Sequence, residues 1–452
     1  MWGIELLIHR WVKSGSPPGA TIAAAGLDAA PYRVGPAAVI RVVKVRTILV
    51  TPPWTGDPFF GFTPGEEFRR TAALIEVTAD DGTTGLGETI MGYFNAEVVP
   101  PLVEYYARLL TDPNLRLDPT QPERCFEELY QRSLWWGRVG LAVSVLSGIE
   151  IALWDLVGKV VGKPVHALLG GAVHERLPLY ASGGTGAYPV AQTVAQAERY
   201  ISLGFRGFKI GTGMMKTPGG FTTRVSSPPY GTWYANGTAA RIRDEREKFG
   251  ALRRALGPDI EIATDAHAVQ VREPWTRSDA LSVAQALEEF DLLFFEEPLR
   301  YDDPDGYAGI RRQTRTPIAA GECLTGLSEF QVWLDKGAVD YIQPDATHVG
   351  GIGPTVRIAQ AAAARHVGLM VHTGAAIGPG IAANLHAAFV SPNARYIEYA
   401  IAPDNIRAEL LAEPISLVDG FQALPTAPGL GVKLPDDFEE RYPYRPGIYE
   451  YA

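Results

Sequence analysis

The sequence predicts an α/β protein whose larger part is a parallel barrel of eight βα units, with a smaller α+β domain ahead of it. Its fold class follows from three observations. Asp265, Glu296, Glu322, Asp345, His372 and Glu398 follow one another at intervals of 31, 26, 23, 27 and 26 residues. Each stands at or just past the end of a short apolar run that reads as a strand. These runs are EIATDAH (261–267), LLFFEEP (292–298), PIAAGE (317–322), YIQPD (341–345), LMVH (369–372) and YIEYA (396–400). One βα unit with its loops takes roughly 25–35 residues, because an eight-unit barrel totals about 250. The spacing therefore sets six successive strands side by side, each with a polar residue at one rim. In a parallel barrel that rim gathers the βα loops and is where active sites are built. Chance placement scatters such residues over strands and helices alike, so the pattern predicts an enzyme site.

Taken in chain order, residues 1–39 read as a flexible extension. WGIELLIHRWV is short and broken by Glu5, His9 and Arg10, with no clear cleavage site after it, and 13–38 are rich in Ala, Gly, Pro and Ser. IRVVKVRTILV (40–50), TAALIEVTAD and DDGTTGLGE read as a β-meander with Asp81-Gly82 at a hairpin turn. From about 97 the apolar spacing turns to three and four in VVPPLVEYYARLL, PERCFEELYQRSLWW and VGLAVSVLSGIEIALWDLVGKVVG. Strands followed by helices make a separate domain over 40–170. LPLYASGG (177–184) opens the barrel, expected over 171–412, and GFRGFKIG (204–211) is its second strand, carrying Lys209. The segment 413–452 has strand and turn chemistry and is expected to return to the N-terminal domain. Lys209 to Asp265 is 56 residues, about 25 more than one unit needs. The excess, 214–237, is rich in Pro, Gly and aromatics. It fits a lid or binding loop over the rim, or equally an oligomer contact or a disordered insertion.

The 452 residues allow two or three domains, and 46% hydrophobic with 20% charged content is ordinary for a globular protein. A formal charge of −10 without a long basic run argues against a nucleic-acid partner. No stretch stands out as the roughly 20 apolar residues a membrane span needs. Two distant cysteines, Cys125 and Cys323, make no disulfide framework, so a reducing cytoplasm is the expected location.

Asp265, Glu296 and Glu322 end three consecutive strands and can converge. Three carboxylates at one point repel unless a cation neutralises them, and a hard divalent ion with oxygen ligands, Mg²⁺, fits. The bland reading is three separate carboxylates each paired with Lys or Arg. Asp345 and His372 end neighbouring strands. A carboxylate on one imidazole nitrogen fixes the tautomer and leaves the other nitrogen to take a proton. A lone His372 after LMV would be an ordinary core histidine. His267, two residues beyond Asp265, faces the same side if the strand persists, or else supports the metal site.

The phrases GFRGFK, ATDAH, FFEEPL, AAGECL, YIQPDATHVGGI, the MVH strand end and YIEYA, taken in order and spacing, resemble the enolase superfamily. The likeness is to its mandelate racemase-like branch and, within that, to acid-sugar dehydratases of the galactonate type. It runs from about residue 41 to the tail. The resemblance implies a modified (β/α)8 barrel with an N-terminal capping domain, and removal of the proton beside a substrate carboxylate to give a Mg²⁺-stabilised enediolate. It implies Asp265, Glu296 and Glu322 as metal ligands and His372 with Asp345 as the base. Glu398 would be a protonated carboxyl that hydrogen-bonds the enediolate, Glu297 a supporting group, and His348 a residue behind the site. Lys209 matches the first lysine of the family's Lys-x-Lys, but the second position is Gly211. Two-base racemisation thereby loses one base, and Lys209 is left to neutralise the substrate carboxylate or a metal ligand. Asp265-Ala266-His267 matches the dehydratase arrangement in which the histidine protonates the departing 3-hydroxyl. Phe60, Trp136 and Arg138 lie on capping-domain segments where the family chooses its substrate.

The resemblance thus implies β-elimination of water from a sugar acid, giving a 2-keto-3-deoxy acid, by a dimer-based or octameric homo-oligomer. Two rivals remain. One is a racemase or epimerase of a 2-hydroxy acid, with a second base from Lys209 or from 214–237. The other is a non-catalytic member acting by binding alone.

Overall fold

Alternation of apolar and polar residues in VVKVRTILV gives β1 (Val42–Val50), followed by a short hairpin of β2 (Pro53–Thr55) and β3 (Glu67–Arg69). β4 (Ala72–Ala79) pairs antiparallel with β1 on one side and with β5 (Thr84–Thr89) on the other. The β4–β5 turn is at Asp81-Gly82, where Gly82 has φ +87°, a value glycine reaches without steric cost. Against this sheet pack α1 (Met91–Asn95), α2 (Val99–Leu110), α3 (Pro122–Gly137) and α4 (Leu141–Val161). A short α5 (Val165–Leu168) leads to the barrel. The computed structural model describes residues 40–55, 67–69, 71–183, 190–212, 237–268, 275–374, 376–400, 406–412 and 417–446. The extension 1–39, Phe60 and all but the last residue of the 214–237 insertion lie outside the described residues.

The barrel strands are β6 (Arg176–Ser182), β7 (Gly207–Gly211), β8 (Glu261–Asp265) and β9 (Phe295–Glu296). β10 (Ile318–Ala320), β11 (Tyr341–Ile342), β12 (Gly368–Val371) and β13 (Ala394–Ala400) complete the eight. All pair in parallel, and β13 closes on β6. The crossover helices are α6 (Val190–Ser202), α7 (Thr238–Leu256), α8 (Arg277–Leu287) and α9 (Pro304–Arg311). α10 (Leu327–Lys336), α11 (Ile352–Ala363) and α12 (Pro379–Phe389) follow, and α13 (Ile406–Leu410) comes after the last strand. Tyr180, Ala263, Phe294, Ala319 and Met370 fill the barrel interior. Each such aromatic contributes roughly 1.5–3 kcal/mol by leaving water. This apolar plug leaves the polar side chains of the same strands only the upper rim.

The tail does two things. β14 (Leu417–Val418) and β15 (Phe421–Ala423) form a hairpin that extends the barrel sheet antiparallel along β6. Phe421 is held there between the Arg176 and Arg206 guanidinium groups, 4.2 and 4.7 Å from its ring centre. Beyond α14 (Phe438–Arg441), Tyr442 accepts a hydrogen bond from Thr51 N–H, and Pro443 bridges to Val50 beside it.

α4 corrects one expectation. It is long and apolar enough to cross a membrane by length and composition, with mean hydropathy 1.7, yet 94% of that stretch is buried inside the protein. Its polar residues Ser144, Ser147 and Glu150 recur every third position, which puts them on one face. That face meets the barrel. Ser144 Oγ lies 2.7 Å from His348 Nδ1, and Ser147 Oγ accepts from Gly350 N–H at 2.8 Å. Glu150 accepts from Ile352 and Gly353 N–H at 2.7 and 2.8 Å, capping α11, and from Trp154 Nε1. The fit is close enough that a Cβ at Gly351 would sit 2.0 Å from Glu150 Oε2.

Candidate active site

Parallel pairing brings the predicted residues level. Asp265 pairs across to Gly211 on one side and Glu296 on the other, and Glu296 to Ala319. Glu322, Asp345 and His372 stand just past β10, β11 and β12, and Glu398 lies within β13. All six therefore face one rim, with Lys209 lower in the barrel beneath them.

Lys209 is the hub of the lower part. Its Nζ is 2.8 Å from Glu296 Oε2, 3.0 Å from Glu398 Oε1 and 3.2 Å from Asp265 Oδ2. Burial works against its charge, but Glu296, Glu398 and Asp265 overcome that and hold its pKa well above the ordinary lysine value. The ammonium thus lies among the carboxylates rather than open to a ligand.

One lysine does not neutralise this group. Asp265 Oδ2, Glu296 Oε1 and Glu297 Oε2 are buried without an aligned hydrogen-bond donor. Burial, and after it the Asp265 charge, pushes the Glu296 carboxyl well up, and burial with Glu322 does the same to Glu297. Asp265 goes the other way, because His267 and Lys209 outweigh its burial. The backbone is strained here too. His267 and Glu297 have φ +45° and +44° without being glycine, a conformation costing roughly 1–3 kcal/mol each. In His267 it turns the main chain back, so its N–H reaches Asp265 Oδ1 at 2.9 Å and its Nε2 lies 3.2 Å from Oδ2.

Asp265, His267 and Glu322 offer ligand atoms all within 4.8 Å of one another, a cluster typical of a divalent metal site. Glu297, Glu322 and Cys323 form a second, overlapping group. Glu296 joins neither group; its Oε2 is held by Lys209 and its Oε1 has no donor. The donor set is hard carboxylate oxygen with one imidazole, and its unpaired oxygens are buried. Both features fit a cation that takes oxygen ligands.

The other side of the rim is fully paired. Asp345, wholly buried, accepts at Oδ1 from Thr347 N–H (2.8 Å), Thr347 Oγ1 (2.7 Å) and Asn384 Nδ2 (3.0 Å). Its Oδ2 takes His372 Nδ1 at 2.9 Å. His372 Nε2 then points at the carboxylates, 3.4 Å from Glu322 Oε2 and 3.9 Å from Glu398 Oε2. Burial lowers the His372 pKa, but Glu322, Glu398 and Asp345 together raise it to about 10.

Burial raises the Glu398 pKa, yet Lys209, His372, Ser182 and the Thr373 N–H overcome this and hold it below the usual carboxylate range.

His348 is half-buried behind the rim, where burial, despite the Asp345 charge, lowers its pKa. Cys323 is not poised as a nucleophile, since burial and then Glu297 push its thiol well up. Of the capping-domain contacts, Trp136 is half exposed and packs edge-on against Tyr105, 5.4 Å between ring centres. Arg138 is exposed and lends its carbonyl to the Tyr130 hydroxyl. Neither is brought against the six rim residues by these contacts. What does reach the rim is Gly140, whose N–H donates to Thr325 Oγ1 at 2.7 Å, three residues past Glu322.

Sequence reasoning missed Glu88, Glu150, Ser144, Ser147 and Asn384, which join the domains and the dyad. One signal was available: Glu150 is a carboxylate in the middle of an otherwise apolar helix, which calls for a buried partner.

Comparison with known proteins agrees with this geometry. Residues 44–170 match the mandelate racemase/muconate lactonizing enzyme N-terminal domain, and 192–438 the enolase C-terminal domain-like family. The D-galactonate dehydratase of Xanthomonas campestris pv. campestris (strain B100) is 33% identical over 81% of this chain and 90% of its own length. The arabinonate dehydratase of Saccharolobus solfataricus is 29% identical over 81% of this chain and 89% of its own. The crystal structure of a mandelate racemase/muconate lactonizing enzyme-like protein from Rubrobacter xylanophilus DSM 9941 superposes with a TM-score of 0.76. It is 26% identical and covers 92% of this chain and all of its own. The chain belongs to the mandelate racemase/muconate lactonizing enzyme family of the enolase superfamily.

Proposed function

We propose that this chain is a Mg²⁺-dependent hydro-lyase that removes the proton alpha to the carboxylate of a sugar acid and expels the neighbouring hydroxyl as water. The product is a 2-keto-3-deoxy acid. The observation that carries this reading is the His372–Asp345 pair. With Nδ1 fixed on Asp345 at 2.9 Å, Nε2 is the one imidazole atom aimed into the carboxylate cluster. The dehydratase relatives, which match along most of their length, support the same class of substrate.

Asp265 and Glu322, clustered with His267, would hold the cation, and Glu296, the third ligand the family resemblance implies, could add its unpaired Oε1. When bound, Mg²⁺ supplies positive charge that offsets these carboxylates and polarises the carboxylate of the substrate. That charge would also offset Glu322, the carboxylate that does most to raise the His372 pKa. With the ring neutral, His372 Nε2 takes the alpha proton, and Asp345 steadies the imidazolium that results. Glu398, bonded to Lys209 and 3.9 Å from His372 Nε2, stands where negative charge develops, and as a carboxyl would hydrogen-bond the enediolate oxygen. His267, its side chain 40% exposed at the mouth, hands a proton to the departing hydroxyl. Gly211 offers no side chain to a second face, so one base, one acid and elimination fit better than two-base racemisation. A cytoplasmic enzyme without nucleic-acid or membrane partners is consistent with its composition, and the family resemblance implies a homo-oligomer.

The test is proton NMR in D₂O with Mg²⁺ against four- to six-carbon sugar acids, with wild type beside His372→Asn and His267→Asn. The expected result is a 2-keto-3-deoxy product lost in both variants, with exchange at the alpha carbon surviving only in His267→Asn. Exchange without elimination in wild type would move the protein to the racemase reading. No turnover or exchange with any acid would overturn the substrate class.

A further inference from the structure

We propose that Glu88, a buried capping-domain residue that touches none of the six rim residues by a hydrogen bond, is a positioning residue for the His372–Asp345 pair. It acts through the helix that Asp345 leans on. The proposal rests on the reading of His372 as the base.

Glu88 closes β5 and is 3% exposed. Its Oε1 accepts Ile377 N–H at 2.8 Å, and its Oε2 accepts Gly378 and Gly380 N–H at 3.3 and 2.9 Å. These are the amides that open α12, and Pro379 between them has no N–H to offer. A carboxylate is the side chain that takes several such donors at once and suits the positive end of a helix. The helix is thus fastened at its first turn by a residue of the other domain, 289 positions earlier in the chain.

The fastened helix carries Asn384, which is wholly buried. Its Nδ2 donates to Asp345 Oδ1 at 3.0 Å and to Gly380 O at 3.1 Å, and its Oδ1 accepts Ala346 N–H at 2.9 Å. Asn384 therefore locks both the Asp345 carboxylate and the backbone after it. Only Asp345 Oδ2 remains, and it holds His372. A second tie runs parallel: Ile90 N–H donates to the Thr347 carbonyl, and the Thr347 hydroxyl donates to Asp345 Oδ1. The room for slack is small, because a Cβ on Gly380 would meet Thr347 Cγ2 at 2.5 Å. Every member from Glu88 to Asp345 is buried, so water cannot replace a lost link without opening the packing.

A role confined to docking the domains predicts lost stability and nothing else. Positioning predicts a changed imidazole. The experiment uses the full chain with ¹⁵N-labelled histidine and Mg²⁺, and reads the His372 ring by ¹H–¹⁵N correlation, assigned by its loss in His372→Asn. Glu88→Gln keeps the shape but turns an amide N–H toward the helix donors. The expected result is a folded protein whose His372 signals move toward a mixture of tautomers, with kcat lowered roughly ten- to hundredfold at unchanged KM. Glu88→Asp should restore part of both. Should Glu88→Gln fail to fold, Asn384→Leu cuts the same chain from the barrel side. His372 signals identical to wild type in whichever folded variant is obtained would overturn the proposal. If those signals move while His372→Asn still exchanges the alpha proton, the base reading fails and the positioning link stands.

Discussion

The rim has two halves built on opposite principles. Around Asp265, Glu296 and Glu297, buried oxygens lack an aligned hydrogen-bond donor, two non-glycine residues are left-handed, and the Glu296 and Glu297 carboxyls are pushed up by burial and by neighbouring carboxylates. Around Asp345 and His372, every carboxylate oxygen of Asp345 is taken at 2.7–3.0 Å by a fixed donor. A buried polar atom without a partner costs roughly 1–3 kcal/mol, so the first half stands to gain from an added cation. The second is paired as it stands. On the proposed reading, the under-paired half takes the cation and the paired half holds the base in place.

That contrast can be broken most sharply at His372. His372→Asn should lower alpha-proton exchange about 10²- to 10⁴-fold, measured by NMR in D₂O, while leaving Mg²⁺ binding by calorimetry intact. Loss of both would show that the halves are one unit. Asp345→Asn should act in the same direction with a smaller drop, roughly 10²-fold, because the imidazole remains but its orientation is free. Glu296→Gln addresses the other half. Mg²⁺ at a hundred times its dissociation constant adds about 2.7 kcal/mol to a protein that binds it only when folded. The midpoint of thermal unfolding should therefore rise by a few degrees in wild type and in Asp345→Asn, but not in Glu296→Gln. An equal rise in all three would place the cation elsewhere.

The smallest effect concerns the docking of α4. Burial pushes Glu150 up to about 8 in the folded chain, against an ordinary 4.5. The folded state then binds the proton more tightly than the unfolded one. Its contribution is full below about pH 4.5 and is lost as pH rises through about 8. The melting-temperature advantage of wild type over Glu150→Gln should shrink between pH 5 and pH 9. An advantage that grows with pH would show that Glu150 docks as a charged group throughout.

Much of the rim was legible because barrel geometry converts spacing into position. Asp265, Glu296, Glu322, Asp345, His372 and Glu398 could be placed from intervals alone, since each βα unit restarts at the same height. The close approach of Lys209 and His372 to Glu398 was not legible, because it depends on side-chain geometry across strands. Nor was the turn-back at His267, since strand persistence was assumed where the backbone becomes left-handed at φ +45°. Long-range caps leave the weakest trace. Glu88 and Ile377 are 289 residues apart and neither lies in a motif. Asn384 looks like any polar residue in a helix until Asp345 is found beside it. The β14–β15 hairpin was read as tail chemistry, and nothing local says that its partner is β6.

The docking face of α4 bears on how the chain is made. Ser147 and Glu150 meet Gly350 and Gly353, partners 203 residues further on. When Leu141–Val161 leaves the ribosome, the surface that will cover those groups has not been synthesised. At about 5–20 residues per second, roughly ten seconds or more separate the helix from its acceptor. Through that interval the most apolar helix described here can pack one side against β4 and β5, while its polar stripe stays in water. Ser144, Ser147 and Glu150 keep the waiting surface hydrated until the barrel's later strands arrive.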